Sequence, residues 1–363
     1  MPQFPVVDPI PLPAPIWLFK ILHNLTFALH LASVDLLIGG LILALAFSLM
    51  GRAQPAGMIV HRLPTLMAFV INLGVPPLLF AQVLYGRALY TSSVLIGVFW
   101  ISVIFLLMAS YYGLYASAKR ADSRRPWSAP GFAALLLILT IAFIYSNNMT
   151  LMLRPQAWVS MYHASPTGLQ LNRGDPTLLP RWFFFVFGAF PVAGAALVLL
   201  ALREDLAEDT NRFLTRAGGV AIAAGVVIQS LFAWFAVGDQ PSGVMSSVMR
   251  DPLYGLFAYL GAALAVVLLG LGAVAFLSRA PNKILAIATA LVAFLSVAAT
   301  VMVRDGIRDY TLRAAGFEVW DRVVVTNWSV VGIFLVLFVA ALAVIGYLIS
   351  VIAKARRLEE KYA

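Results

Sequence analysis

Nine apolar runs, separated by short polar joints, restrict this chain to a bundle of membrane-crossing helices. A membrane-spanning α-helix needs about 20 mostly apolar residues. Hydrophobic residues make up 62% of the 363 residues and charged residues only 11%, a composition far from that of soluble globular proteins. The predicted spans cover residues 17–50, 63–86, 94–118, 130–153, 182–202, 214–238, 254–278, 283–303 and 327–353. The sequence therefore predicts an all-α, polytopic transmembrane helical bundle of about nine spans.

The distribution of basic residues predicts the orientation of these spans. An odd number of spans places the termini on opposite sides, and 15 of the 25 Lys and Arg residues fall in one set of alternate joints. Cytoplasmic joints are enriched in Lys and Arg, so the N-terminus is predicted outside and the C-terminus in the cytoplasm. The predicted organisation is an external segment 1–16, one transmembrane domain 17–353 and a cytoplasmic tail 354–363.

The absence of cysteine limits the redox chemistry that the chain itself can hold. With no Cys in the sequence, disulfides, thiolate-bound metals and the C-x-x-C-H attachment of c-type haem are excluded. A redox group held by this chain would have to use His or Met, or be a diffusible quinone. The formal net charge of +9 indicates topology rather than nucleic-acid binding in a chain of this composition.

The first span carries three ionisable side chains, His23, His30 and Asp35. Such groups cost several kcal/mol inside a bilayer unless they are paired, liganded or wetted, and they therefore indicate a functional site. The two histidines are seven residues apart, which places them on nearly the same helix face about 10.5 Å apart along the axis. Asp35 turns roughly 140° away from His30 and is expected to face a different neighbour. We interpret it as a proton-path residue; the alternative is a neutral acid in a structural hydrogen bond.

Both histidines are candidate axial ligands of a b-type haem, since neutral imidazole is a usual ligand of haem iron. They project in the same direction from one helix and so cannot bind opposite faces of one iron. His163, predicted on the same outer side as His23, or a methionine would supply the second ligand. The alternative is that His23 lies at the membrane interface and His30 forms a hydrogen bond within the bundle.

Polar side chains in spans 2 and 4 predict a quinone pocket beside the first span. The candidates are Asn72, Gln82, Tyr85 and Asn148. A quinone needs a hydrophobic slot, a donor for its carbonyl and a group that exchanges its proton, for which His30 and Asp35 are candidates. The pair Pro76-Pro77 is expected to kink or break span 2. The alternative is that these polar side chains only join helices through hydrogen bonds.

The charged segment 304–310 is predicted just outside span 8. Its alternating charges predict ion pairs within a loop or, alternatively, a docking surface for an external partner.

Two passages of the sequence resemble a known class of membrane protein. Residues 72–86 continuing to 90–93, together with residues 303–310, resemble integral membrane subunits that accompany c-type, often multihaem, cytochromes in bacterial respiratory complexes. The first span is more loosely similar to the opening helix of cytochrome bd quinol oxidase subunit I, in which a histidine ligates haem b. That role would fall on His23 or His30. The sequence departs from the oxidase pattern because it lacks a recognisable long quinol-binding loop.

The resemblance implies a multi-pass protein of the bacterial inner membrane, in contact with lipid and with other membrane subunits. Its partners would be c-type cytochromes on the outer face, and its cofactors quinone and b-type haem. The resulting hypothesis is a respiratory subunit that exchanges electrons and protons between quinone and the partner cytochromes. A secondary transporter is an alternative, because a Pro-interrupted span with polar neighbours also suits a midplane substrate site. A cofactor-free anchor for peripheral cytochromes is another.

Overall fold

The computed structural model describes residues 11–362, with side chains described up to residue 351 except at 345, 348 and 349. Helices contain 82% of the described residues, and that range contains no β-strand. The helices are α1 Ile16–Leu49, α2 Ala53–Val60, α3 Leu63–Leu95, α4 Gly97–Asp122, α5 Ser128–Leu151, α6 Pro155–Ala164, α7 Leu178–Leu200, α8 Glu208–Gly238, α9 Val244–Arg250, α10 Pro252–Leu277, α11 Lys283–Ala314 and α12 Trp328–Tyr362. The all-α prediction is confirmed.

Eight candidate membrane spans are present within residues 11–362. They are α1, the combined segment Ala53–Leu95, α4, α5, α7, α8, α10 and α11. The ninth predicted span, 327–353, coincides with α12, in which Trp328–Val344 is the described apolar stretch. The structure therefore supports a multi-pass membrane protein, whereas the count of nine and the orientation of the termini stay predictions.

The chain forms two compact units. Among the described residues, one unit runs from Lys20 to Val319, and the other combines residues 11–19 with 320–362. In the second unit, Leu12 pairs with Val324 in a single parallel bridge. The amide of Leu12 donates to the carbonyl oxygen of Val323 at 2.8 Å.

Within the first unit, successive long helices alternate in direction, so their ends gather at two sides. The loop-rich end holds α6, α9 and the loops around them, and the short-joint end holds the connections at 49–53, 122–128, 200–208 and 277–283. α7 packs along α8, α8 along α10, and α10 along α11, while α11 also contacts α7. The functional side chains described below lie on α1, α3, α10 and α11.

Small residues let the central helices approach closely. A methyl group at Gly39 of α1 would lie 2.5 Å from the carbonyl oxygen of Ala189 in α7, and one at Gly194 would lie 2.7 Å from that of Gly218 in α8. Close backbone contact through small residues is typical of helix association in membranes. These positions hold α1 and α8 against α7.

Helix α3 stays helical through Pro76 and Pro77, and its non-helical dihedral angles lie instead at Tyr85 (φ −125°, ψ 19°). The expected break at the proline pair is therefore displaced towards the loop-rich end. The φ angle of proline is itself compatible with a helix, and the carbonyl oxygens of Val70 and Pro77 gain contacts from histidines of α1. The irregular turn at Tyr85 lies where its ring enters a group of charged side chains.

Helix α11 continues to Ala314, so Arg304 to Tyr310 belongs to a helix. The prediction that span 8 ends at residue 303 and that these charges form a loop is wrong. The physical reason is that Asp305, Arg308 and Asp309 find partners on other helices. Paired charges can stay inside a membrane helix, where unpaired ones would be expelled.

Candidate functional site

Eight buried side chains from four helices form one connected group near the loop-rich end, here called the buried ionic cluster. They are Lys20, His23 and Asn24 of α1, Tyr85 of α3, Tyr254 of α10, and Asp305, Arg308 and Asp309 of α11. None of them exposes more than 9% of its surface. On both α1 and α11 the members are three and four residues apart, a spacing that places side chains on one helix face. The group therefore joins α1, α3, α10 and α11 side by side.

Lys20 is the central cation of the buried ionic cluster. Its Nζ lies 2.6 Å from Oδ2 of Asp305 and 2.7 Å from Oδ2 of Asp309, and it donates to the hydroxyl of Tyr85 at 2.8 Å. That hydroxyl in turn donates to Oδ1 of Asp309 at 2.7 Å, and the hydroxyl of Tyr254 donates to Oδ2 of the same carboxylate at 2.8 Å. Every hydroxyl and ammonium group named here is thereby satisfied.

Arg308 connects the carboxylates to His23. Its Nη1 lies 3.0 Å from Nε2 of His23 and 3.9 Å from Oδ1 of Asp305. A guanidinium only donates, so Nε2 of His23 accepts, and the ring proton resides on Nδ1, which donates to the carbonyl oxygen of Pro77 at 3.0 Å. Both nitrogens of His23 are therefore occupied.

The two cations and two carboxylates of the buried ionic cluster balance each other. Lys20 and Arg308 oppose Asp305 and Asp309, and Asn24 adds a bond from Nδ2 to Oδ2 of Asp305 at 3.0 Å. Removing one partner of a buried ion pair costs about 3–5 kcal/mol because the other charge is left uncompensated. The cluster is a neutral arrangement that depends on all four charges.

His30 differs from His23 because one of its ring nitrogens is free. Nδ1 lies 3.0 Å from the carbonyl oxygen of Val70 in α3 and donates to it. Nε2 has no hydrogen-bond partner among residues 11–362, and the side chain is partly exposed. Gly74 leaves space for the ring, since a methyl group there would lie 2.8 Å from Cε1 of His30. His30 thus presents a lone-pair nitrogen at the contact of α1 and α3.

Asp35 lies deeper in α1 and faces other helices, as expected from its spacing. It is 4% exposed and borders a cavity of about 20 Å³ that is also lined by Gln229 of α8 and by Ser296 and Thr300 of α11. In the described part of the chain, none of these four side chains has a hydrogen-bond partner. A polar cavity of this size has room for about one water molecule. It is too small to hold a quinone ring.

The remaining predicted pocket residues are not brought together. Asn72 is exposed and donates to the carbonyl oxygen of Ala68 in its own helix. Gln82 is half-buried, and Asn148 donates to the hydroxyl of Ser93 at 3.0 Å. Asn148 therefore joins α5 to α3 through a hydrogen bond, which is the role that the alternative to a quinone pocket gives to these polar side chains. Tyr85 belongs to the buried ionic cluster, where its hydroxyl is fully engaged.

The predicted haem ligands differ in whether a ring nitrogen is free to bind iron. His23 has no nitrogen free for iron, because Arg308 and the Pro77 carbonyl occupy both. His163 is exposed on α6, where its ring contacts that of Tyr162. His30 has the Nδ1 bond to a carbonyl that typically orients a metal-binding imidazole. His23 therefore offers no free nitrogen to a haem iron, whereas haem ligation by His30 or His163 stays a prediction.

Sequence reasoning missed most of the buried ionic cluster. The charges of α11 are predicted just outside span 8 because charged residues usually mark the ends of spans, and the sequence singles out neither Lys20 nor Tyr254. A signal was present in the spacing, since Asp305, Arg308 and Asp309 repeat at the interval of one helical face. Lys20 follows the same interval with His23 and Asn24.

Comparisons with known proteins assign no family to the chain. No family model matches the chain, and no curated protein matches it.

Proposed function

We propose that the chain is the membrane subunit of a respiratory electron-transfer complex and that it exchanges a proton with quinone at His30. Electrons would pass between that quinone and c-type cytochrome partners at the loop-rich end. The observation that carries the proposal is the free Nε2 of His30, held on a ring whose Nδ1 is bound to the Val70 carbonyl. The contact with α3 is partly exposed, so a lipid-soluble substrate can approach it from the membrane.

The free nitrogen suits general-base chemistry. A neutral imidazole whose Nδ1 donates to a carbonyl keeps its lone pair on Nε2, and a base must lie within hydrogen-bond reach of the proton that it removes. A quinol hydroxyl would donate to this nitrogen. Oxidation of the quinol to quinone would release two electrons, each reducing one ferric haem of the partner cytochromes, and two protons, one of which His30 takes while water takes the other.

The other buried groups have supporting roles in this proposal. The buried ionic cluster ties α1 to α3 through Lys20 and Tyr85, which keeps the histidine face of α1 against α3. Asp35, beside a cavity with room for one water, would hold a proton inside the bundle. Neither group contacts the quinone.

Quinol binding to the purified full chain tests the proposal. A short-chain quinol analogue, kept reduced under anaerobic conditions, is titrated against wild type and His30→Gln, and affinity is measured by equilibrium dialysis. We expect His30→Gln to bind at least about tenfold more weakly, the loss of one good hydrogen bond in a site shielded from water. His163→Gln and His61→Gln replace exposed histidines and should bind like wild type. Equal binding by His30→Gln would contradict the proposal.

A visible absorption spectrum of the same preparations tests the haem prediction separately. A Soret band that disappears in His30→Ala would assign a haem to this histidine, whereas quinone binding without a band supports a haem-free quinone subunit.

A further inference from the structure

Two arginines near the loop-rich end lie outside the buried ionic cluster and lack a carboxylate partner. The guanidinium of Arg304 in α11 lies 4.6 Å from the ring centre of Phe27, and no described residue accepts a hydrogen bond from it or forms an ion pair with it. Arg181, in the first turn of α7, donates to the side-chain oxygen of Gln240 at 2.8 Å. Both side chains are half-buried.

These arginines add positive charge to a region that is already balanced. Arg181, Arg304 and Arg308 are close enough to repel one another electrostatically. The carboxylates of Asp305 and Asp309 are bound by Lys20, so they do not neutralise the additional charge. Unpaired arginines at membrane depth are costly and usually mark a binding function.

A further donor lies next to Arg181. The indole Nε1 of Trp182 is buried and has no hydrogen-bond partner within the described residues, although buried donors are normally paired. Asp175, a carboxylate that interacts electrostatically with Arg181, also accepts hydrogen bonds from the amide and hydroxyl of Thr177, both at 2.8 Å. The region therefore offers a free indole donor and one excess positive charge, since Lys20, Arg181, Arg304 and Arg308 outnumber Asp175, Asp305 and Asp309 by one.

We propose that Arg304 and Arg181 form a binding site for the phosphate group of an anionic phospholipid. The planar guanidinium matches the geometry of phosphate oxygens and binds them in bidentate fashion. Basic pockets between transmembrane helices are suited to lipid head groups, and the partial exposure of both side chains gives a head group access. A single phosphodiester charge would offset the repulsion between the two arginines.

Lipid titration of the delipidated full chain, followed by native mass spectrometry, tests this site. The probes are phosphatidylglycerol, diacylglycerol with the same acyl chains, and inorganic phosphate. We expect wild type to bind one phosphatidylglycerol and to bind diacylglycerol at least about tenfold more weakly, since charge-assisted hydrogen bonds are lost. Arg304→Gln should lose a similar factor for phosphatidylglycerol, and Arg304→Lys less. Arg250→Gln, which changes an exposed arginine of α9, should match wild type.

The outcomes separate the two sources of phosphate. If inorganic phosphate displaces the lipid from wild type and binds more weakly to Arg304→Gln, the same arginines form a free-phosphate site. If Arg304→Gln does not fold, Arg181→Gln serves as the second variant, with thermal unfolding as the check of folding. Equal binding of phosphatidylglycerol by wild type and a folded arginine variant, or equal binding of diacylglycerol and phosphatidylglycerol, would overturn the proposal.

Discussion

The two ends of the helical unit use the same charged residue types in opposite environments. At the loop-rich end, Lys20 and Asp305 lie 2.6 Å apart with side-chain exposures of 7% and 1%. At the short-joint end, Arg52 and Asp209 lie 3.2 Å apart with exposures of 49% and 78%. The pair Arg212 and Glu208 at that end is similarly exposed. The distances between the charged atoms are similar at the two ends, but the side chains differ in how far they are exposed to water.

This difference decides what each pair contributes. An exposed ion pair gains little because water and salt screen it, typically about 0–1 kcal/mol. A buried pair has already lost its water, so each charge depends on its partner, and removing one is far more costly than the pair's own net contribution. The buried ionic cluster is therefore expected to govern whether α1, α3, α10 and α11 assemble, whereas the exposed pairs only adjust stability.

The largest expected effect comes from removing the central cation of the cluster. Lys20→Met should lower the free energy of unfolding by about 3–5 kcal/mol because two buried carboxylates then face Arg308 alone. The matched change at the exposed end, Arg52→Gln, should cost less than about 1 kcal/mol. Denaturant unfolding in detergent micelles, followed by circular dichroism, measures both.

A double variant sharpens this comparison. Lys20→Met combined with Asp305→Asn restores the charge balance and should recover part of the lost stability, giving a clear coupling energy in a double-mutant cycle. Arg52→Gln combined with Asp209→Asn should show almost none. Equal coupling energies at the two ends would show that burial does not distinguish them.

An intermediate effect is expected from a single hydroxyl of the cluster. Tyr85→Phe removes the donor to Asp309 and an acceptor of Lys20 without changing the charge, and should cost about 1–3 kcal/mol because buried groups lose a partner. Tyr112→Phe, at a tyrosine that is 78% exposed, is the control and should be nearly neutral. The measurement is the same unfolding titration, and a neutral Tyr85→Phe would mean that the cluster tolerates an unpaired site.

The smallest effect concerns pH at the exposed end. Arg203 donates from two nitrogens to the carboxylate of Asp205, and this hydrogen bonding lowers the pKa of Asp205 below its ordinary value. A carboxyl with a lowered folded-state pKa adds stability above its ordinary range and loses it as the pH falls through the folded-state pKa.

Because Asp205 is largely exposed, solvent screening keeps this contribution to a few tenths of a kcal/mol. Wild type should exceed Asp205→Asn slightly in stability at neutral pH, and the difference should vanish below the carboxyl range. Unfolding titrations at both pH values measure it. A constant difference at both pH values would exclude the ion pair as its cause.

The helical architecture was accessible from the sequence because its signal is local. Long apolar runs predict membrane helices from composition and length alone, and all eight candidate spans correspond to predicted ones. The shared face of His23 and His30, and the different neighbours of Asp35, also followed from helical spacing. Both histidines indeed contact carbonyl oxygens of α3.

The buried ionic cluster was not accessible in the same way because its partners are distant in the chain. In the sequence, Arg304 to Tyr310 has the composition of the polar end of a membrane span. Only the packing of the helices shows that Lys20 and Tyr85 lie beside it. Pairing between residues so far apart depends on how helices pack, and periodicity within one helix does not specify that. The same limit explains Asn148, whose partner Ser93 lies on another helix.

The position of Lys20 has a consequence for biosynthesis. Its carboxylate Asp309 lies 289 residues later in the chain, so at roughly 5–20 residues per second α1 is made roughly 15–60 s before its counter-charge emerges from the ribosome. During that interval the ammonium group must stay near the lipid head groups, which its flexible stem allows. Helix α1 is thus expected to reach its final position only after α11 has been translated. Truncation of the chain before α11 would therefore leave α1 without the partners of its buried charge.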